Sequence, residues 1–293
     1  MTYDEEFLQY LKAERNYSDL TVTGYNDSLS EFRTFVQNEG RKIDWTTVES
    51  GDIREWIVDL MDKGHTATTV NTRLSALRSF YKYLLMRDVI EVDPVHNIIG
   101  PKKNKPLPKF IRESDMNQIL DVVTFPDTFE GKRDHLILLV FYSTGIRLAE
   151  LVGMNVRDVD FGARTLKVLG KRNKERIIPF GEEMSDEMKR YLECRAETFP
   201  QAGSEFFIHN GARISREQVG KIVRERLGSV TSQKFRSPHV LRHSFATAML
   251  NHGAGIETVK ELLGHESLAT TQIYTHTTFE ELKKVYHKAH PRA

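Results

Sequence analysis

Apolar residues recur at helical spacing through roughly the first 95 residues. Phe7, Leu8 and Leu11 share one face of a first segment. Ser18 is a candidate N-cap for a second, which runs to about Phe35 and Val36. Thr47 or Ser50 starts a third through Ile53, Trp56, Ile57 and Leu60. Residues 66–86 give a long amphipathic helix, with Val70, Leu74, Leu77, Tyr81 and Leu84 inside and Arg73, Arg78 and Lys82 outside. The pattern predicts a small all-helical bundle over residues 1–97.

The run Gly100-Pro101-Lys102-Lys103-Asn104-Lys105-Pro106-Leu107-Pro108-Lys109 breaks this periodicity. Three prolines bar helix, and four lysines without an acid make it an extended basic strap over residues 98–110. It reads either as a solvated hinge or as a strap that also touches phosphate.

Beyond it, a helix is expected near Glu113–Val123, with Ser114 or Asp115 near its start. A buried helix follows through residues 136–142. Val156–Phe161, Arg164–Leu169 and Arg176–Pro179 have the length and composition of short strands, and residues 171–174 form a turn. Helices then dominate. Ser237 and Pro238 open one that Gly253 closes; residues 256–263 form the next, stopped by Gly264. Ser267 caps a short helix carrying Tyr274. A tail helix over about 278–288 has a Thr278-x-x-Glu281 capping box and a stripe of Phe279, Leu282, Val285 and Tyr286. The fold class is mainly α with a small antiparallel sheet: a helical bundle, a linker, then a mixed α+β domain over residues 111–293. This order suggests two lobes closing around a rod-shaped ligand.

Composition adds two constraints. One cysteine in 293 residues excludes a disulfide framework, and no apolar run reaches spanning length, so a cytoplasmic protein is expected. The net charge of +1 hides a polarity. Residues 1–100 carry 11 Lys and Arg against 17 Asp and Glu; the remainder carries 31 against 24. Lys63 to Arg87 holds five basic residues (Lys63, Arg73, Arg78, Lys82, Arg87) and no acid. Local patches, not the total, set the field that a polyanion meets.

The candidate chemistry lies in the second half. His239 and Arg242 are i, i+3 neighbours at a helix N-terminus, where backbone N–H groups favour an anion and cations are misplaced. A bound anion resolves that conflict; a solvated arginine beside a core histidine is the plainer reading. His243 reads as packed and hydrogen-bonded. Arg147 follows Thr144-Gly145 at the end of the apolar helix, where it either pairs with Glu150 or clamps phosphate with Glu150 orienting it. Lys171 shares its turn with Arg172, Lys174 and Arg176, and by itself such a turn is a solvated surface. His265 directly follows the Gly264 stop, an ordinary capping position. No His-Glu-x-x-His, P-loop or Gly-x-Ser-x-Gly motif is present.

Taken together, Arg147, Lys171, His239-x-x-Arg242, His265 and Tyr274 resemble the catalytic set of the tyrosine recombinases, the phage integrase family. The wording of Thr144-Gly145-Ile146-Arg147-Leu148-Ala149-Glu150-Leu151, Gly170-Lys171-Arg172-Asn173-Lys174-Glu175-Arg176, His239-Val240-Leu241-Arg242-His243-Ser244-Phe245-Ala246-Thr247 and Leu262-Leu263-Gly264-His265 carries the likeness, which spans essentially the whole chain and is nearest to the Xer branch. Arg172 stands where the family's hairpin often has glycine. The resemblance implies a SAM-like core-binding domain and a catalytic domain forming a C-shaped clamp on DNA. Tyr274 is then the nucleophile, His239 the general base and Lys171 the general acid. Arg147, Arg242 and His265 bind the phosphate, with Glu150 and His243 behind them. No metal, cofactor or ATP is implied. The implied partners are a double-stranded recombination site, a homo- or hetero-tetramer on two sites (the second subunit another Xer protein or a copy of this chain) with exchanged tail helices, and a DNA translocase activator. The implied task is resolving chromosome dimers at dif-like sites. Lys63, Arg73, Arg78, Lys82, Lys102, Lys103, Lys105 and Arg172 are the candidate DNA contacts. An integrase or invertase of a mobile element, and a non-catalytic DNA-binding homologue, are the alternatives.

Overall fold

The computed structural model describes residues 1–103, 110–170, 175–231, 235–264 and 276–293. Lys105, Lys171, Arg172, His265, Tyr274 and the cap at Ser267 lie outside these residues. The chain divides into two compact units, Met1–Pro106 and Leu107–Ala293.

The first unit contains α1 (Tyr3–Ala13), α2 (Asp19–Asn38), α3 (Ser50–Asp62) and α4 (Ala67–Met86). Ser18 caps α2 by accepting from the Thr21 N–H at 3.3 Å, and Thr66 caps α4 by accepting from the Thr69 N–H at 3.2 Å. The apolar faces close on an aromatic core. Phe32 meets the edge of Trp56 at 5.1 Å and Trp45 meets Phe80 at 4.8 Å, all four buried.

The outer face of α4 differs from expectation. Arg73 pairs with Glu31 of α2 at 2.5 Å, and Arg78 donates to the Ile98 carbonyl at 2.7 Å. Both are half-buried: Arg73 ties α4 to α2, and Arg78 serves a carbonyl of residues 90–100, which fold back over this helix. Lys82, Lys102 and Lys103 are exposed, and Lys63 is exposed with its ammonium 2.7 Å from Asp59.

The second unit is organised around α6 (Phe129–Thr144), which is buried on every side from Leu136 to Thr144 and packed by α8 (Glu182–Thr198), α9 (Arg216–Gly228) and α10 (Pro238–Asn251). Ahead of it, α5 (Glu113–Asn117) continues as a wider π-helical turn, Gln118–Val122. It starts at Glu113 with Arg112 as N-cap, so Ser114 and Asp115 stand in its first turn as expected. His135 of α6 lies 3.1 Å from the Leu120 carbonyl that this turn presents. After α7 (Leu148–Gly153), the expected strand from Val156 begins instead as a 3₁₀ turn, Val156–Asp158. The Asp158 carboxylate accepts from the Asn155 N–H at 2.8 Å, so a local side-chain bond replaces the ladder.

Strands β1 (Val159–Asp160), β2 (Thr165–Leu169) and β3 (Glu175–Pro179) form an antiparallel sheet in that order. Alternation is clear on β2, with Leu166 and Val168 buried and Lys167 and Leu169 exposed. On β3 the inward positions are Arg176 and Ile178. A second hairpin, β4 (Ile208–His209) and β5 (Ala212–Arg213), interrupts the stretch expected to be helical. It turns at Asn210-Gly211 with φ of 51° and 80°, the paired positive values of a type I′ turn.

Two helices complete the unit, α11 (Ile256–Leu263) and α12 (His276–Ala289). Helix α12 is seated on its own unit. Leu282 and Tyr286 are buried with Phe245, Met249 and Leu262, and the Tyr286 hydroxyl donates to the Ser143 carbonyl at 3.1 Å. Among the described residues no helix is long and apolar enough to cross a membrane.

Candidate active site: an arginine cluster on the end of helix α11

Four helix ends meet at the site. Helix α6 stops at Thr144 because Gly145 adopts φ 59°, a left-handed conformation that costs other residues energy. A Cβ there would also lie 2.5 Å from Phe245 and 2.8 Å from Leu263. The chain then passes through buried Ile146 to Arg147, the N-cap of α7. Pro238 occupies the first turn of α10 and fixes the entry that places Arg242 one turn in. Helix α11 ends at Gly264, φ 62°, the expected stop.

The last carbonyls of α11 collect the arginines. Arg176 Nε donates to the Leu262 carbonyl at 3.1 Å, Arg242 Nη2 to Leu263 at 2.6 Å and Arg147 Nη2 to Gly264 at 2.8 Å. Arg242 Nη1 also donates to the Gly145 carbonyl at 2.6 Å. The helix C-terminus is the negative end of its dipole, so guanidinium groups gather there in the favourable sense.

Glu150 is the carboxylate of this cluster, and it is buried. Its Oε1 accepts from Arg147 Nη1 at 2.8 Å and Arg176 Nη1 at 2.7 Å. Its Oε2 accepts from the Arg147 backbone N–H at 2.7 Å and Arg176 Nη2 at 2.9 Å. Burial alone would raise its pKa, but the bonds and charge of Arg176, then those of Arg147, outweigh that and hold the carboxyl below its ordinary value. Arg242 has no acidic partner among the described residues. Burial, then the charges of Arg147 and Arg176, push its guanidinium down to about 10 against the pull of Glu150. Three guanidinium groups face one carboxylate, which leaves an excess of positive charge in a largely water-excluded place.

A family model for the phage integrase family matches residues 109–281, and a model for the phage integrase N-terminal SAM-like domain matches residues 5–88. The chain belongs to the phage integrase family. It is a site-specific tyrosine recombinase, an enzyme of DNA strand transfer. Tyrosine recombinase XerC of Listeria innocua is 40% identical over 294 residues, covering 99% of this chain and 98% of the relative. The XerC of Staphylococcus saprophyticus is 40% identical over 293 residues, covering 99% and 97%. In fold, XerH bound to a palindromic difH substrate aligns with a TM-score of 0.72 at 21% identity, covering 96% of this chain and 83% of that one.

Within the recombinase, Arg147, Glu150 and Arg242 converge as one cluster, and His239 is exposed on the first turn of α10. His243 is a correction: it is exposed, not packed, because Leu241, Ser244 and Phe245 fill the inward face of α10 around it. The sequence places Arg176 in a basic turn and at the start of a strand, with no role at the site. The signal that could have found it is the strand alternation, which places it inward beside Ile178 where an apolar residue is expected. Among the described residues, no group of three or more His, Cys, Asp or Glu side chains could hold a metal ion.

Proposed function

We propose that the protein cuts and rejoins DNA at a dif-like site through a 3′-phosphotyrosyl link to Tyr274, resolving chromosome dimers in the bacterial cytoplasm. The observation that carries this reading is the buried Arg242, which lacks an acidic partner among the described residues and is pressed down by Arg147 and Arg176. A cation so placed gains by meeting an anion. A non-bridging phosphate oxygen is the fitting one, and two planar guanidinium forks suit its geometry.

In this mechanism Arg147 and Arg242 turn from the α11 carbonyls to the scissile phosphate. His239, exposed at the same helix start, takes the tyrosine proton, which free tyrosine holds up to a pKa of about 10. His265 donates a further hydrogen bond, and Lys171 protonates the leaving 5′-oxygen. Fixed positive charge stabilises the transition state. The aryl phosphodiester conserves the bond energy, so rejoining needs neither ATP nor cofactor. Residues 1–97 serve as the core-binding domain, 98–110 as a basic linker and 111–293 as the catalytic domain. One tyrosine cuts one strand, so exchange of two duplexes takes a tetramer, built from this chain alone or with a second Xer protein. There α12 leaves the seat that Leu282 and Tyr286 take on its own unit, and the stripe of Phe279, Leu282, Val285 and Tyr286 docks on a neighbour through about residues 278–288.

XerC relatives at 40% identity over nearly the whole chain, and the fold shared with XerH on difH, support the dif-like site. The test is a nicked suicide duplex followed by denaturing electrophoresis, with sequencing of the DNA trapped from fragmented genomic DNA. The wild type forms a covalent adduct and Tyr274→Phe does not. An adduct on the Phe variant removes the nucleophile assignment, and trapped DNA without a shared dif-like core removes the site.

A further inference from the structure

The inward arginine of β3 is left unused by the mechanism above. A strand position facing an apolar core is served as well by Ile or Met, and burying a charged pair there is at best neutral for stability. Arg176 is nonetheless only 8% exposed, with Nε, Nη1 and Nη2 all engaged. The bidentate fork grips both oxygens of Glu150, the same two oxygens that hold Arg147 by its guanidinium and its backbone. Its Nε holds the Leu262 carbonyl, immediately before the carbonyls that hold Arg242 and Arg147. The strand that carries it begins at Glu175, four positions after Lys171 in the sequence. The chain leaving Gly264 runs on to His265 and Tyr274.

Gly264 supplies an independent sign that this contact shapes the site. Its φ of 62° already favours glycine, and a Cβ there would lie 3.1 Å from Arg176 Cδ and 3.3 Å from Nε and Nη1. The stop of α11 is therefore moulded to the arginine as well as to the turn.

We propose that Arg176 is a positioning residue for strand cleavage, tying the paired strands β2 and β3, the Glu150 cradle of Arg147 and the end of α11 into one frame. It acts through Glu150 and Leu262 and does not touch the phosphate. This rests on the recombinase mechanism proposed above. Misplacement of a reacting group by about 1 Å costs on the order of 100-fold in rate.

The test uses the full-length protein and a nicked suicide duplex carrying the sequence recovered by trapping. Arg176→Met and Arg176→Lys are compared with wild type for single-turnover cleavage, for equilibrium binding of the same duplex and for the pH profile of cleavage. The expected result is duplex binding within about 2-fold of wild type and cleavage slowed by about 100-fold in the Met variant. The Lys variant recovers only part of the rate, since one ammonium cannot reproduce a fork and a third bond. The Met variant gains an acid limb in the pH profile, because Glu150 loses the partner that most favours its ionised form while Arg147 remains; the Lys variant keeps a positive charge there and gains a smaller one. If the Met variant does not fold, the Lys variant and its acid limb carry the test. Adding Glu150→Gln to the Lys variant costs little more, since both changes break one frame. Cleavage within about 3-fold of wild type in a folded variant, an unchanged pH profile or fully additive rates overturns the proposal. Trapping that survives Tyr274→Phe instead overturns the underlying mechanism, so the two failures are distinguishable.

Discussion

Acidification should loosen the catalytic unit through His290. This side chain follows α12 and is 5% exposed, stacked between Tyr286 at 5.3 Å and Phe245 at 5.4 Å. Its Nε2 donates to the Tyr142 carbonyl at 3.0 Å, and its Nδ1 accepts from the Arg292 N–H at 3.0 Å. That pair of bonds fits the neutral ring and no other: a proton on Nδ1 would face a second donor. Burial first, then the nearby charges of Arg292 and His252, take its pKa from 6.5 down to about 4, against the Tyr142 bond. The folded value lies below the unfolded one, so the unfolded chain binds the proton between them. Stability is therefore full above pH 6.5, falls as pH drops from 6.5 to about 4, and is level below that. Linkage between those two values gives a loss of about 2 kcal/mol between pH 7.5 and pH 5. Urea unfolding of the full chain followed by far-ultraviolet circular dichroism measures it, with His290→Gln as the reference in which the other titrating groups cancel. Tryptophan fluorescence is the internal control, since Trp45 and Trp56, the two tryptophans, both lie in the first unit. Equal pH dependence in wild type and the Gln variant would refute the argument.

Four further outcomes are expected. Gly145→Ala should cost roughly 2–5 kcal/mol in urea unfolding, the sum of a left-handed alanine and a Cβ forced against Phe245 and Leu263; a loss under about 1 kcal/mol would show that the helix end relaxes freely. Lys171→Ala should be slow on an ordinary suicide duplex and recover on one with a 5′-thio leaving group, which needs no general acid. Absence of rescue assigns the proton to another residue. Lys82→Ala should lower duplex affinity and reduce the salt slope by about 0.9, the signature of one lost phosphate contact, with unit stability unchanged. Arg73→Ala should instead lower the stability of the first unit, and a pure affinity effect would mean that its pair with Glu31 opens on DNA.

The long helices of both units were legible because apolar periodicity and caps agreed, as at Ser18 and Pro238. The Thr144-Gly145-Ile146-Arg147 turn and the Gly264 stop were legible because each needs a backbone conformation that glycine provides. What was missed depends on contacts made at long range. Arg73 and Arg78 occupy an outward face by periodicity, yet a helix and a returning segment distant in sequence claim them. Arg176 faces inward because β2 pairs beside it and Glu150 lies across the core, neither of which a basic turn discloses. The Asn210-Gly211 hairpin was a local signal overlooked among helices. The segment carrying His265 and Tyr274 was identified by its resemblance to the family, since a histidine after a C-cap has ordinary structural uses.

The acceptors at the end of α11 are backbone oxygens, and that frees this stretch to drift in evolution. Any buried apolar residue at 262 or 263 presents the same carbonyl to Arg176 or Arg242, so the anchor survives substitutions that would erase an anchor made of side chains. Only position 264 carries an identity requirement, and it is for the absence of a side chain. A search for the site by matching charged residues alone would therefore find the arginines and overlook the surface that holds them.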